Sequence, residues 1–442
     1  MLLNNVQHTT EPFPNTVATV EKDQPAVAPL TAGPPNTSKE QTLKTLMAGF
    51  PKTFDVECPP MKGPPCHFRL IKGATPVAIR GSRPVAEPLL PRLKEELAEL
   101  EKQGIIRKVT DPTAWVHPIV LVPKKENGIR LCVDLGALNK CIVRPRFESQ
   151  TPFQAVRTIP PGMKFFRVAD ALKGYHQVPL YEESTAMTTF STPVGRYQYL
   201  RFPFGVVHAG DDYCRRVADI FDDIPNTRRV VEDILIFNKT WEEHVKSVHN
   251  LFARAAEHNV SLNTKKLKSA QQTVRFGGYV VSENHFKPVP ELTDAISKFP
   301  TPKNSTDLRA FFGLCQQVGN FSNRIATALG PLAPLLKKGY LWEWTTTHSN
   351  AFANTRSALS DTSELAFFDP AHPTALHLDA SRLHGLGFVL KQKKAGGQWR
   401  MIQAGSRFLS GAAWAMSKCR QFLEGLPNFE LVVDHKPQTY LE

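Results

Sequence analysis

Apolar and polar residues alternate in several short runs, and each run predicts a β-strand because successive strand residues face opposite sides of a sheet. The clearest runs are 119–123, 129–134, 165–170, 276–280, 375–379, 385–390 and 429–435. Another apolar run, 228–237, predicts a hairpin whose only interior charges are Glu232 and Asp233. Turn residues such as the polar stretch 124–128 separate these runs, so the strands form more than one sheet.

Apolar residues spaced three or four apart predict helices among these strands. The clearest helix has an N-terminal proline, a leucine face and a C-terminal glycine: Pro91, Leu93, Leu97, Leu100 and Gly104. Residues 242–258 form a second amphipathic segment, and a third helical region covers 307–318 with Ser305 as its N-cap. The mixture of helices and strands predicts an α+β fold.

Charge and cysteine content narrow the class of protein. The 442 residues include 54 Lys and Arg against 41 Asp and Glu, and the net charge of +13 favours polyanion partners, although solvated lysines would explain it equally well. Seven cysteines without paired spacing argue against a disulfide framework and indicate a reducing interior. We find no signal peptide and no membrane-spanning apolar stretch, so we expect an intracellular protein in cytoplasm or nucleus, without membrane contact.

Three acidic residues stand in apolar surroundings where a charge is costly. Asp170 ends a predicted strand, and taken alone it is more readily explained as the cap of a helix starting at Ala171. Glu232 and Asp233 are flanked by Val and Ile residues, so these acids must either lie at an exposed tip or bind metal. Together the three acids predict a carboxylate site.

The order and spacing of five motifs resemble the palm of a retroelement reverse transcriptase: 165–170, 174–177, 195–200, 203–205 and 230–237. The resemblance covers roughly residues 88–335. Within that family, the motifs at 130–134, 137–140 and 299–314 resemble the long-terminal-repeat type related to gypsy retrotransposons and their Pol polyproteins. The resemblance to reverse transcriptases implies a right-hand polymerase with fingers, palm and thumb, in which Asp170, Glu232 and Asp233 hold two Mg²⁺ or Mn²⁺ ions.

The resemblance also implies substrates, which are deoxynucleoside triphosphates and an RNA or DNA template with its primer. The resemblance assigns the triphosphate contacts to Lys124, Lys125, Arg130 and Lys266, and the sugar contact to Tyr175. It assigns the contacts with the nucleotide and the template strand to Phe204 and Gly205, and the primer contacts to Phe276, Gly277, Gly278 and Tyr279. The lysines and arginine bind the triphosphate, Tyr175 excludes a 2′-hydroxyl, and the last four residues form the hairpin that grips the primer. Without the resemblance, a solvated turn, a core tyrosine and a common Gly-Gly turn would explain these residues.

The chain departs from the family at several positions. Glu232 replaces the first Asp of the usual acid pair, and Val230 replaces an aromatic residue. Asp379 and Asp434 match two acids of the ribonuclease H that follows the polymerase in this family. The segment with a metal-binding Glu is missing between them, Glu424 is expected to be an exposed residue, and the last acid is absent. We therefore predict that nuclease activity is lost.

These observations predict the following division of the chain: a disordered region 1–40, a Pro-rich segment 41–85, fingers and palm 86–240, palm end and thumb 241–290, connection 291–370 and a truncated ribonuclease H-like domain 371–442. No protease motif precedes the polymerase, which suggests a fragment of a polyprotein or a decayed copy. The alternatives are a catalytically dead relic that only binds nucleic acid, and a structural protein without nucleic-acid contact. The oligomeric state is left open.

Overall fold

The computed structural model describes residues 39–123, 128–264, 267, 270–322, 324–360, 364–381, 385–394, 396–407 and 412–433. Within these ranges the α-helices are α1 Lys39–Ala48, α2 Leu90–Lys102, α3 Gly136–Asn139, α4 Pro152–Arg157, α5 Glu182–Met187, α6 Ala209–Phe221, α7 Trp241–Glu257, α8 Pro290–Ser297, α9 Ser305–Val318, α10 Arg324–Leu329, α11 Thr346–Ser360 and α12 Ala412–Leu423. None of these helices is long and apolar enough to cross a membrane.

The strands are β1 Ile106–Val109, β2 His117–Pro123, β3 Ile129–Val133, β4 Phe165–Asp170, β5 Phe190–Thr192, β6 Gly195–Tyr199, β7 Thr227–Val230, β8 Asp233–Asn238, β9 Val274–Phe276, β10 Tyr279–Val281, β11 His285–Pro288, β12 Leu365–Ala366, β13 Thr374–Ser381, β14 Gly385–Lys393, β15 Trp399–Arg407 and β16 Glu430–Val433. They form four sheets with the orders β1-β6-β5-β2-β3, β4-β8-β7, β12-β11-β10-β9 and β15-β14-β13-β16. Most neighbours are antiparallel, and with the helices the sheets confirm the α+β class.

Local sequence explains where the longest helix begins. At the start of α7, the Thr240 hydroxyl accepts a hydrogen bond from the Glu243 amide at 3.2 Å, and the Glu243 carboxylate accepts one from the Thr240 amide at 3.3 Å. This capping box satisfies amides that the helix itself leaves open. Val248, Leu251 and Phe252 then face the core, which fixes α7 against the sheet β4-β8-β7.

Two predicted element starts differ from the structure. Ser305 was expected to cap α9, but Ser305 is its first residue and Asn304 is the cap, because the Asn304 side chain accepts bonds from the amides of Thr306 and Asp307 at 2.9 Å each. An amide oxygen reaches these donors as well as a hydroxyl does. The region 1–40 was expected to be disordered. It lies outside the described residues except at its end, where α1 begins at Lys39.

The sheets meet in packed apolar cores that hold the parts of the chain together. The largest core joins the five-stranded sheet to α2, α6, α7 and one face of the three-stranded sheet β4-β8-β7. The other face of that sheet packs on α4 and on β9 to β11, and Phe166, Leu235 and Phe276 are buried there. The sheet β4-β8-β7 is therefore covered on both sides, and its open end is where its polar residues gather.

Candidate active site

The predicted carboxylates meet at the open end of the three-stranded sheet. Asp170 is the last residue of β4, and Asp233, the first residue of β8, lies directly opposite it in the antiparallel register. Directly opposed residues point to the same face with Cβ atoms about 4.5–5.5 Å apart. Asp170 is 5% exposed, and Asn263 holds it by donating its amide to the Asp170 carbonyl at 2.8 Å and its side-chain nitrogen to Oδ1 at 3.4 Å.

Glu232 lies in the turn of the same hairpin. Val230 pairs with Asp233, so Val231 and Glu232 alone connect β7 to β8. Val231 has a φ of 51°, a conformation that two-residue hairpin turns require but that a β-branched residue rarely adopts. Such a residue costs about 1–3 kcal/mol and persists only where its surroundings hold it. The Glu232 carbonyl accepts a bond from the Ala171 amide at 3.1 Å, and its side chain is exposed.

The carboxylate pair suits a small divalent cation. Mg²⁺ prefers oxygen ligands and is usually bound by one or two carboxylates, with water and substrate phosphates completing its shell. Asp170 and Asp233 supply two such groups on one face of the sheet. Over the described ranges, no three His, Cys, Asp or Glu side chains form a metal-binding cluster, so Glu232 is not brought together with the two aspartates.

Two aromatic residues pack together near Glu232. The Tyr175 ring meets the Phe204 ring edge to face at 5.1 Å, and the Phe204 ring is 47% exposed. Burial raises the pKa of Tyr175, and the nearby Glu232 carboxylate raises it further. Gly205 has a φ of 94°, which suits glycine. Asn139 fixes this turn by donating its side-chain nitrogen to the Gly205 carbonyl at 2.8 Å.

Three residues beneath this aromatic pair had no role assigned from sequence. Tyr213 on α6 is 1% exposed, its ring lies 5.3 Å from that of Tyr175, and its hydroxyl has no partner among the described residues. A Cβ on Gly174 would lie 2.8 Å from this hydroxyl. His176 is buried against Phe204, and burial lowers the pKa of His176 to about 3, so its imidazole stays neutral. The side chains of Tyr213 and His176, with the backbone of Gly174, form the floor under Tyr175 and Phe204.

The predicted triphosphate lysines lie outside the described residues. These are Lys124, Lys125 and Lys266. Arg130 is described: it stands on β3, opposite Val122 of β2, and is exposed. The antiparallel pair β2 and β3 agrees with the two strands predicted at 119–123 and 129–134.

The predicted primer-grip turn joins β9 to β10. Gly277 and Gly278, with φ of 56° and 86°, form its two central residues, and Phe276 pairs with Tyr279 across it. The rings of Phe276 and Tyr279 are buried in the core beneath, and burial raises the pKa of Tyr279 to about 12. Only the glycine backbone of this motif is therefore available for contact with a ligand.

A cleft of about 640 Å³ lies between the acid pair and the strands β9 to β11. Its lining carries the two aspartates and several polar or basic side chains, namely Asp170, Asp233, Gln271, Thr273, Arg275 and Lys287. Arg275 is paired with Glu291 at 2.6 Å, and Lys287 with Glu364 at 2.8 Å. Arg275 on β9 and Lys287 on β11 therefore bring basic side chains to the cleft, each paired with a glutamate.

Of the two predicted nuclease acids, only Asp379 lies within the described part of the chain, where its backbone position is given. Asp379 lies on β13 opposite Gly387 of β14, and Asp434 falls outside the described part of the chain. Glu424 follows α12, where its exposed carboxylate accepts a bond from Arg420 at 2.9 Å. Glu424 is thus an exposed residue, as predicted.

Comparison with known proteins identifies the domains. Residues 122–281 match the family described as reverse transcriptase (RNA-dependent DNA polymerase), and residues 344–429 match the RNase H-like domain found in reverse transcriptase. In sequence, the Tf2-3 and Tf2-7 transposon polyproteins of Schizosaccharomyces pombe are each 29% identical over 357 residues, which is 80% of this chain and 26% of theirs. The chain thus spans about a quarter of the length of these relatives.

Solved structures resemble the fold closely. A foamy viral protease-reverse transcriptase in complex with double-stranded DNA gives a TM-score of 0.77 at 21% identity, over 90% of this chain and 72% of the other. The same type of protein in complex with an RNA/DNA hybrid gives 0.70 at 22% identity, over 90% and 56%. The likeness confirms the predicted polymerase fold.

The chain carries a reverse transcriptase domain, the fold of a class of nucleotidyltransferases, followed by an RNase H-like domain. Its similarity to the Tf2 polyproteins, which are of the gypsy type, confirms the predicted kind of retrotransposon sequence.

Proposed function

We propose that this chain is an RNA-directed DNA polymerase that adds a deoxynucleotide to the 3′-hydroxyl of a primer. The new bond joins the primer oxygen to the α-phosphorus of the triphosphate, and the bond to the bridging oxygen breaks to release pyrophosphate. The observation that carries this proposal is the opposition of Asp170 and Asp233 at the edge of the 640 Å³ cleft. Two carboxylates in register beside a cleft that also carries Arg275 and Lys287 fit a reaction between a hydroxyl and a polyphosphate.

Asp170 and Asp233 would hold the divalent cations. When bound, Mg²⁺ or Mn²⁺ would favour ionisation of the primer hydroxyl and neutralise charge on the leaving pyrophosphate. The hydrogen bonds from Asn263 keep Asp170 in place. Glu232 would complete the ligand set only if its exposed side chain turned inward from the hairpin tip.

The aromatic pair would select the sugar. Tyr175 sits on a buried floor formed by Tyr213 and leans against Phe204, so its phenol has little freedom to move aside for a 2′-hydroxyl. Arg130, together with Lys124, Lys125 and Lys266, would bind the triphosphate, and the Gly277–Gly278 backbone would contact the primer. These roles follow from motif positions and the chemistry of the side chains.

A template–primer duplex is the expected macromolecular partner. The net charge of +13 favours a polyanion, and the foamy viral proteins of similar fold are complexes with double-stranded DNA and with an RNA/DNA hybrid. Such binding should weaken as salt rises, because each phosphate contact releases a counterion.

Primer extension on an RNA template, with and without Mg²⁺, tests the proposal. Asp170→Ala should abolish extension, whereas Asp294→Ala, which removes an exposed carboxylate paired with Lys298, should leave it unchanged. A parent chain that binds template and primer without extending it would instead support the second candidate, a dead relic. The departure at Glu232 is the observation that favours this candidate.

We propose further that nuclease activity is lost. Only Asp379 and Asp434 match nuclease acids, and a two-metal site depends on several ligands to fix geometry and neutralise charge. The remaining RNase H-like fold, with α12 packed on its sheet, would then persist for reasons other than catalysis.

A further inference from the structure

Helix α4 touches three separate parts of the molecule. At its first residue, a Cβ on Gly277 would lie 3.0 Å from Pro152, so the β9–β10 turn packs directly on the helix. Its last residue, Arg157, reaches the RNase H-like domain. The next residue, Thr158, accepts a hydrogen bond from Arg228 of the acid hairpin, which consists of β7, the turn Val231–Glu232 and β8. The six-residue helix α4 therefore lies between the RNase H-like domain, the β9–β10 turn and the acid hairpin.

Arg157 is the main polar contact between this helix and the RNase H-like domain. Its guanidinium lies 5.6 Å from the ring centres of both Phe153 on α4 and Phe422 on α12. It donates to the side-chain oxygens of Gln403, at 3.5 Å, and of Gln421. Among the described residues no carboxylate forms an ion pair with it. Two rings and two amide oxygens match a planar guanidinium rather than a point charge.

The contact continues from Thr158 into the acid hairpin. Arg228 on β7 donates Nε to the Thr158 hydroxyl at 2.8 Å and a terminal nitrogen to the Thr158 carbonyl at 3.0 Å. Its guanidinium also covers the Phe237 ring at 5.3 Å. β7 leads directly into the turn that holds Val231 at positive φ. Because a strained turn needs support from its neighbours, contacts that immobilise β7 bear on the geometry of Asp233.

We propose that the RNase H-like domain acts as a positioning element for the polymerase, holding the acid hairpin through Arg157, Thr158 and Arg228. Its effect on the reaction rests on the proposed polymerase function. Its effect on the hairpin does not, because the contacts exist whether or not the chain is catalytic. Arg157 and Arg228 are positioning residues in this proposal and touch no substrate.

Hydrogen exchange of the full chain tests the coupling. Arg157→Ala should speed amide exchange in residues 227–238 on the order of tenfold, the equivalent of one charge-assisted hydrogen bond. Arg157→Lys, which keeps the charge but not the planar fork, should fall between the parent and Arg157→Ala. Arg420→Ala is the matched control, because Arg420 precedes Gln421 on α12 but is exposed and pairs with Glu424. It should leave exchange at 227–238 unchanged.

Primer extension supplies a second readout. With Arg157→Ala we expect kcat to fall on the order of tenfold while the KM for template–primer stays constant, because the acids move and the phosphate contacts do not. Unchanged exchange at 227–238 would overturn the proposal, whether or not α12 itself opens. Faster exchange in the hairpin with an inactive parent would refute the polymerase function and leave the positioning contact supported.

Discussion

Replacing Gly174 by alanine places an atom where the structure has no room. The added Cβ would lie 2.8 Å from both Cζ and Oη of Tyr213, and 3.1 Å from Cε2. Optimal carbon–carbon contacts are about 3.5–4.0 Å, so an atom must move by roughly 0.7 Å or more. Tyr213 is 1% exposed and packs against Tyr175, so it cannot move without disturbing the proposed sugar-selecting ring.

The size of the effect follows from two opposing terms. Overpacking a well-filled core costs about 1–3 kcal/mol. Alanine also lowers the conformational entropy of the unfolded chain, which stabilises the folded protein by about 0.4–1 kcal/mol. We therefore expect Gly174→Ala to lower the free energy of unfolding by about 1–2 kcal/mol, which lowers the Tm of a domain of about 150–250 residues by about 2–8 °C.

Three further variants show whether Tyr213 is the obstacle. Gly210→Ala is the matched control, because its Cβ would meet the Tyr175 hydroxyl at 3.7 Å, an ordinary contact. Tyr213→Phe should by itself raise stability by about 1 kcal/mol, since a buried hydroxyl without a partner is costly. Combined with Gly174→Ala it should restore only part of the loss, because Cζ remains at 2.8 Å.

Thermal unfolding of the parent and the four variants provides the measurement of stability. Ribonucleotide discrimination in primer extension reports on Tyr175. Gly174→Ala should unfold earlier and discriminate less well. If Gly174→Ala is as stable as Gly210→Ala, the close approach of Tyr213 to the Gly174 backbone is wrong. The rigid floor beneath Tyr175 would then be wrong as well.

Four other predictions address the chemistry directly. Asp170→Ala should reduce primer extension on the order of a thousandfold or more, because charge stabilisation of the transition state worth several kcal/mol is lost. Template–primer binding, measured by anisotropy, should stay intact. Extension at the parent rate would refute the assignment of Asp170 as a metal ligand. Glu232→Asp should leave the extension rate unchanged or raise it, and a steep loss would contradict the view of Glu232 as an imperfect replacement. Tyr175→Ala should relax discrimination against ribonucleotides in a competition between deoxy- and ribonucleotides, and unchanged selectivity would make Tyr175 a core residue only. The chain should not cleave RNA in a labelled RNA–DNA hybrid with Mg²⁺ or Mn²⁺, and cleavage that disappears in Asp379→Ala would show that the nuclease survives.

Residues with strong local signals were predictable from sequence. The apolar run 228–237 with two acids inside it indicated a hairpin, and the structure contains β7 and β8 on either side of a two-residue turn. The strand that ends at Asp170 was also predictable, because the alternation of apolar and polar residues and the acid at its end are both visible in the sequence. Helix starts were predicted to within one or two residues, since several neighbouring side chains can cap the same amides.

Contacts between residues distant in sequence were not predictable. Nothing near Tyr213 in the sequence indicates that its ring lies against Gly174, and nothing near Arg157 indicates Gln403 or Phe422 as partners. The positive φ of Val231 was also missed, because two-residue turns normally reveal themselves by Gly or Asn, and this one has neither. Such features depend on how separate elements pack, which a single sequence does not encode locally.

The position of Glu232 changes the weight of the main departure from the family. From sequence, a longer acid in place of the first Asp of the pair was, together with the deletion in the nuclease region, an argument for a dead relic. In the structure the two carboxylates in register are Asp170 and Asp233, and Glu232 is exposed in the turn beside them. A methylene added to an exposed side chain can be accommodated by rotation, whereas one added at Asp170 could not. The replacement of Asp by Glu therefore affects the acidic residue whose side chain has the most room to adjust. We expect activity to depend far more on Asp170 than on Glu232.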